Sequence, residues 1–224
     1  MPATKKAYHH GDLKNALLRA GMQLLEADGL PGLSLRSIAA RVGVSHTAPK
    51  NHFGSLRGLL TALATEGFLL HAAEMQRGVE DASDPVARQN AAMQGYVRFA
   101  RAHPYLFDLM FSPLYYDHTD PAFHAAGQAS YGVLAGISKG LDWDKATAPG
   151  ADRRAEMMLW SIVHGYATLL LGGHFYAGPM SDQFFDIADI MPVFGYLDQA
   201  LPDQRTDHPD PPDPHRDGGH RHRS

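Results

Sequence analysis

Residues 34–60 read SLRSIAARVGVSHTAPKNHFGSLRGLL, and their pattern decides the fold. Ser34 stands where a helix begins, because its hydroxyl can accept a backbone N–H that the first turn leaves free. Leu35, Ile38, Ala39 and Val42 recur at helical spacing and form one apolar face. Gly43 follows where a left-handed residue ends a helix. Val44 then reads as a buried plug, and Ser45 as the cap of a second helix running to about His52. The outer surface of that second helix is polar: His46, Thr47, Lys50 and Asn51. A helix this short is not stable alone. Val44, Ala48 and Phe53 must hold it against its neighbours, so its polar face is presented outward. Two helices meeting across a tight turn in this way present a recognition helix to the major groove of DNA.

Charge is divided along the chain. The 224 residues carry a formal net charge of −4, which argues against a nucleic-acid coat over the whole surface. Residues 1–60 hold eight Lys and Arg against three Asp and Glu, a net of +5, leaving −9 for the remainder. A basic end on an acidic body suits a protein that touches phosphates at one end only. There is no cysteine, hence no disulfide framework and no thiolate metal site. The opening MPATKKAYHHGD is not a secretory leader. The longest apolar run, 157–171, is interrupted by Ser161, His164, Gly165 and Thr168 and falls short of the roughly 20 residues a membrane span needs. A soluble cytoplasmic protein is expected.

Outward from the central stretch, residues 1–7 read as a loose basic arm. A helix begins near His10, with Leu13, Leu17, Ala20 and Leu24 in one stripe, and Gly29 stops it. Gly54 and Ser55 open a long helix reaching to about Glu80, with Leu56, Leu60, Leu63, Gly67 and Leu70 on its buried face. Val86, Met93, Val97 and Ala100 mark another helix, which ends at His103-Pro104 because proline cannot continue it. A short aromatic helix spans Tyr105 to Phe111. Leu114 to Asp120 is a loop or a turn or two of helix. From Pro121 to Lys139 the chain reads as helix, weakened by Gly127, Gly132 and Gly136, which permit close packing or leave room for a ligand. Lys145 to Gly150 is linker.

Asp152 to Leu171 is helical and apolar almost all round, so it is buried on more than one side. Ser181 to Leu201 gives a second such helix, with Phe184, Ile187, Met191, Phe194, Leu197 and Leu201 in a stripe and Pro192 as a kink. Two terminal helices with surplus apolar surface suggest a four-helix dimer interface, for which Ile162, Tyr166, Leu169, Phe184, Ile187, Met191 and Phe194 are candidates. From Asp203 onward the composition collapses to Asp, His, Pro, Gly and Arg, which reads as a disordered tail. The irregular spacing of its histidines does not make a metal site, and neither a metal nor a cofactor is expected.

The skeleton LSLRSIAARVGVS, followed by HF and a Leu-Leu pair, resembles the TetR family of one-component transcriptional repressors. YHHGDLKNALLRAGMQLLEADG is similar to that family's first helix. LWSIVHGYATLLLGG resembles the Trp-His-Gly signature of one subgroup's C-terminal domain. The resemblance implies an all-α protein: a helix-turn-helix DNA-binding domain over 1–54, a helical effector-binding and dimerisation bundle over 55–202, and the tail over 203–224. It implies a homodimeric repressor that binds double-stranded DNA and is released by a small, largely apolar effector.

In role terms Arg36, Ser45 and Lys50 are candidates for phosphate contacts, with Lys14 near the backbone. His46, Thr47 and Asn51 would approach base edges. His52 either binds phosphate or caps its own helix. Two positions depart from the family pattern. Lys50 stands where the family usually has Tyr, and Leu56 stands where it usually has Lys, with Arg57 beside it as a partial replacement. For the effector the candidates are His71, Phe99, His103, Phe107, Met110, Phe111, Tyr115, Trp160 and His164.

No nucleophile elbow, glycine-rich phosphate loop or HExxH pair occurs, and an enzyme is not expected. Asp117-His118-Thr119-Asp120 reads as a polar loop. Two alternatives stay open: a regulator of the same fold without a small ligand, and a helical enzyme or metal-binding protein whose N-terminal module only packs.

Overall fold

A computed structural model of the chain describes residues 10–142, 149–175, 186–191 and 195–196. The first helix, α1 (His10–Gly32), buries Leu17, Ala20, Leu24 and Leu25. It breaks at Gly29, where φ is 65°, and a last turn through Pro31 follows. Helix α2 (Leu35–Val42) starts as its sequence requires: the Ser34 hydroxyl accepts from the Ser37 N–H, and Ser37 returns the bond. It ends at Gly43, whose φ of 74° is the left-handed geometry that a side chain would strain. Ile38 and Ala39 are its buried residues. Helix α3 (Ala48–Phe53) begins later than the sequence suggested, because Thr47 occupies the cap position and Pro49 falls in the first turn. Ser45 does not cap it. Its hydroxyl accepts the Thr47 N–H and pairs with the Thr47 hydroxyl, fixing the turn instead.

Helix α4 (Leu56–Gln76) is capped by Ser55, which accepts from the Gly58 N–H. It stops at Gln76 rather than continuing to Glu80. Its buried face is Leu59, Leu60, Leu63, Ala64, Gly67, His71 and Met75, whereas Leu56 and Leu70 lie exposed. The expected stripe was therefore rotated slightly. Helix α5 (Pro85–Ala102) is capped by Asp84, and α6 (Pro104–Met110) follows directly. Residues 114–120 are turns, and Asp120 caps α7 (Pro121–Ser138). Gly95 sits where α5 crosses α4: an added Cβ would lie 2.3 Å from the Glu74 carbonyl oxygen and 2.8 Å from Met75 Cα.

Helix α8 (Ala151–Leu171) buries Ala155, Leu159, Val163, Tyr166, Ala167 and Leu170 against α5 and α7. Its far side exposes Met157, Ser161, Thr168 and Leu169. The second long terminal helix is not found among the described residues. Of its expected span only residues 186–191 and 195–196 are described, and there α9 (Ile187–Ile190) forms, started by a reciprocal cap between Asp186 and Asp189. It ends because Met191 is extended, with φ −68° and ψ 126°, as a residue before proline prefers. Pro192, expected as a kink, lies outside the described residues. Gly195–Tyr196 (β2) pairs antiparallel with Leu141–Asp142 (β1), two residues each. No described helix is long and apolar enough to cross a membrane.

Candidate nucleic-acid interface and ligand cavity

The turn before α3 and α3 itself expose Ser45, His46, Thr47, Lys50 and Asn51. Pro49 is buried, and Val44, Ala48 and Phe53 are half-buried, so the apolar residues face inward and the polar ones face solvent. His52 is half-buried, with its ring 6.4 Å from that of Phe53. Lys14 on α1 and Arg36 on α2 are exposed.

Arg57 is exposed and also bonds within the chain. Its Nε and Nη2 donate to the Tyr116 carbonyl oxygen at 3.2 and 2.8 Å. Arg57 thus acts as a strut between the start of α4 and the loop after α6. Thr61, one turn on, donates to the Arg57 carbonyl and accepts the Asp117 N–H, both through its hydroxyl. The Asp117 carboxyl is held below the usual carboxylate range, first by the Thr119 backbone N–H and hydroxyl.

A cavity of about 390 Å³ lies among α4, α5, α6, α7 and α8, lined by Phe68, His71, Met75, Tyr96, Met110, Phe111, Pro113, Tyr116, Phe123, Gly127, Ser130, Tyr131, Leu134 and Trp160. Of the residues expected here, His71, Met110, Phe111 and Trp160 form the wall. Phe99, Phe107 and His164 stand behind it. Phe107 stacks on His164 at 5.4 Å, and the Phe99 ring lies 5.0 Å from that of His71. Tyr115 and His103 do not belong to it. Tyr115 is 41% exposed while its neighbour Tyr116 turns inward, and His103 pairs with Glu26 of α1 at 3.2 Å. Burial holds the Glu26 carboxyl above its ordinary value, and His103 opposes that rise.

Sequence reasoning missed Tyr96, Phe123, Ser130 and Tyr131 as wall residues. The i, i+7, i+8 spacing of the last three on α7 was the available signal. At Gly127 an added Cβ would meet nothing within 4 Å, and Gly127 lines the cavity. Of the two roles open to that glycine, it serves as space.

The wall's polar atoms are few. His71 Nδ1 pairs with Ser130 Oγ at 2.8 Å, Tyr96 Oη pairs with His164 Nδ1 at 2.8 Å, and the Tyr116 hydroxyl donates to the Met110 carbonyl at 3.0 Å. Burial pushes the His71 imidazole down to about 3, with His164 adding to the effect, and lowers His164 as well. Burial also raises the Tyr96 phenol. Tyr131 donates to Glu156 and accepts from Arg153. Among the described residues no group of three His, Asp or Glu stands close enough to hold a metal ion.

Residues 90–188 match the family profile described as "Tetracyclin repressor-like, C-terminal domain". Over that stretch the chain belongs to the TetR-like family of C-terminal domains. Its similarity to solved structures extends beyond that stretch. A protein of Rhodococcus sp. RHA1, described as having unknown function, is 35% identical, with 82% of this chain and 93% of that one covered and a TM-score of 0.66. A Streptomyces coelicolor A3(2) chain described as a possible TetR family transcriptional regulator is 18% identical, covers 75% of this chain and 77% of its own, and has a TM-score of 0.52. A transcriptional regulator of Rhodococcus sp. Rha1 is 22% identical, covers 79% and 92%, and has a TM-score of 0.50. The last two likenesses speak to the TetR fold alone. No curated protein matches the chain by sequence.

Proposed function

We propose that this chain is a dimeric, cytoplasmic transcriptional repressor of the TetR family that binds a palindromic operator and leaves it when a small ligand fills the cavity. One observation carries the reading. Ser45, His46, Thr47, Lys50 and Asn51 are exposed together while Pro49 is buried and Phe53 half-buried, so the polar edge is left for an outside partner. Asn51 suits a paired contact to adenine, Thr47 suits the thymine methyl, and Arg36 and Lys50 suit phosphates. Two such heads would enter successive major grooves roughly 34–36 Å apart. The exposed face of α8, with Met157 and Leu169, would join the subunits.

Release requires a ligand that prefers one conformation over another. Tyr116 belongs to the cavity wall, and its carbonyl holds Arg57 four residues past the end of α3. A ligand that moves Tyr116 therefore moves the segment carrying the reading head. The domain boundary near residue 54 belongs to the same reading. The test is DNase I protection of the region upstream of the protein's own gene. A protected palindrome, lost when Thr47 and Asn51 are both changed to Ala, supports the proposal. Protection unchanged by that double substitution contradicts it.

A further inference from the structure

Among the described residues, the wall of the cavity contains no Asp, Glu, Lys or Arg. The imidazole among its described residues, His71, is 1% exposed and stays neutral at any ordinary pH. Of the charges its residues touch, Glu156 and Arg153 at Tyr131 face each other at 3.0 Å and offset one another, and Arg57, on the main-chain carbonyl of Tyr116, is not in the wall. A charged ligand entering here would lose its hydration with no opposite charge to replace it, which is costly in an apolar site. The rest of the wall is mainly rings: Phe68 meets Phe111 and Phe123 edge-on at 5.7 and 5.6 Å. Such surfaces suit a planar aromatic body.

One polar atom in this wall is left over. His71 Nε2 is shut off from water and has no hydrogen-bond partner among the described residues. The other ring nitrogen pairs with Ser130 Oγ, and that hydroxyl has no second partner among the described residues. If Ser130 donates to Nδ1, its hydrogen is used and the neutral ring carries its own hydrogen on Nε2. If Nδ1 donates instead, the serine hydrogen and the Nε2 lone pair are both left bare. The first arrangement leaves one unmet group and the second leaves two, and buried unmet groups are costly. Nε2–H is therefore a donor without an acceptor, in a residue that forms part of the cavity wall.

We infer that the cavity takes an uncharged, largely aromatic ligand whose single hydrogen-bond acceptor, of the carbonyl kind, is met by Nε2–H of His71 once the rings packed on that imidazole, Tyr96 and Phe99 among them, shift to uncover it. This rests on the reading of the cavity as the effector site. At about 390 Å³ the space accommodates two to three fused rings.

Three matched probes test it: 9-fluorenone, which carries the carbonyl; fluorene, which lacks it; and fluorene-9-carboxylate, which is charged. Binding to the full chain is read by equilibrium dialysis, with quenching of tryptophan fluorescence as a second readout. The expected result is binding of fluorenone at least fivefold tighter than fluorene, with the carboxylate weakest. In His71→Phe the preference for fluorenone over fluorene should vanish while fluorene still binds. Equal affinities in the wild type, a preference for the carboxylate, or no binding of any probe would overturn the inference. The wild-type series decides even if the variant fails to fold. Binding to duplex DNA is measured separately. Discrimination among the probes by a protein that holds no DNA leaves this inference standing and removes the regulator reading. DNA binding without discrimination removes this inference alone.

Discussion

The Arg57 guanidinium holds the carbonyl oxygen of Tyr116 with two donors, at 3.2 and 2.8 Å, across 59 residues of sequence. One partner lies in the first turn of α4 and the other in the cavity wall. Arg57→Met removes both bonds but keeps the length of the side chain. Because Arg57 is exposed, the loss of stability should be small, about 1 kcal/mol. The larger effect falls on communication. DNA affinity without ligand should stay within about threefold of wild type, while ligand-driven release is blunted. Paired titrations of DNA with and without a cavity ligand check this, and full release by Arg57→Met would count against the strut.

Gly95→Ala should damage the fold. The added Cβ would meet backbone atoms of Glu74 and Met75, which cannot rotate away. Overpacking of this kind costs about 1–3 kcal/mol, and backbone neighbours place the substitution at the upper end. Gly127→Ala meets nothing and should leave the melting temperature nearly unchanged. Urea unfolding of the two variants beside wild type distinguishes them.

Acid should weaken the protein through His71. Its folded value of about 3 lies below the ordinary 6.5, so between these limits the unfolded chain binds a proton that the native state refuses. Stability is therefore full above pH 6.5 and falls as the pH drops toward 3. One such group accounts for about 1.5 kcal/mol between pH 6.5 and 5. His71→Phe should remove that part of the slope. Urea melts of both proteins at the two pH values measure the difference, and identical slopes would refute the assignment.

The exposed face of α8 carries the dimer expectation. Leu169→Glu places a charge on that face, 46% exposed in the single chain, so the subunit itself should fold normally. Sedimentation equilibrium at micromolar concentration should show wild-type dimers and variant monomers. A dimer unaffected by Leu169→Glu would move the interface elsewhere.

The helix-turn-helix was legible in the sequence because local rules decide it. A serine cap, a helical apolar stripe and a left-handed glycine need only neighbours within a few residues, and Ser34 and Gly43 fall as read. Where position depends on distant chain, the reading slipped. Leu56 and Leu70 share the spacing of Leu60 and Leu63, but contacts from α6 and α7 select the adjacent stripe through Leu59 and His71. The aromatic residues near the cavity were visible as a group, yet spacing alone could not sort Tyr115, which faces out, from Tyr116, which faces in. Ile187 and Met191, expected at a dimer interface, are 1% and 6% exposed within the single chain, where α9 packs on α5. Tyr166 is likewise buried, and Ile162 is half-buried against the core, leaving Leu169 as the exposed member of that set among the described residues. Phe184 and Phe194, like residues 1–9, most of the expected linker and the histidine-bearing tail, lie outside the described residues.

The most direct test of the account is a footprint of the purified full-length protein on the DNA upstream of its gene, taken at 50 and 200 mM salt. The account predicts a symmetric protected site that weakens steeply as salt rises and that disappears when Thr47 and Asn51 are changed together. Absence of any protected site at 50 mM salt would contradict it.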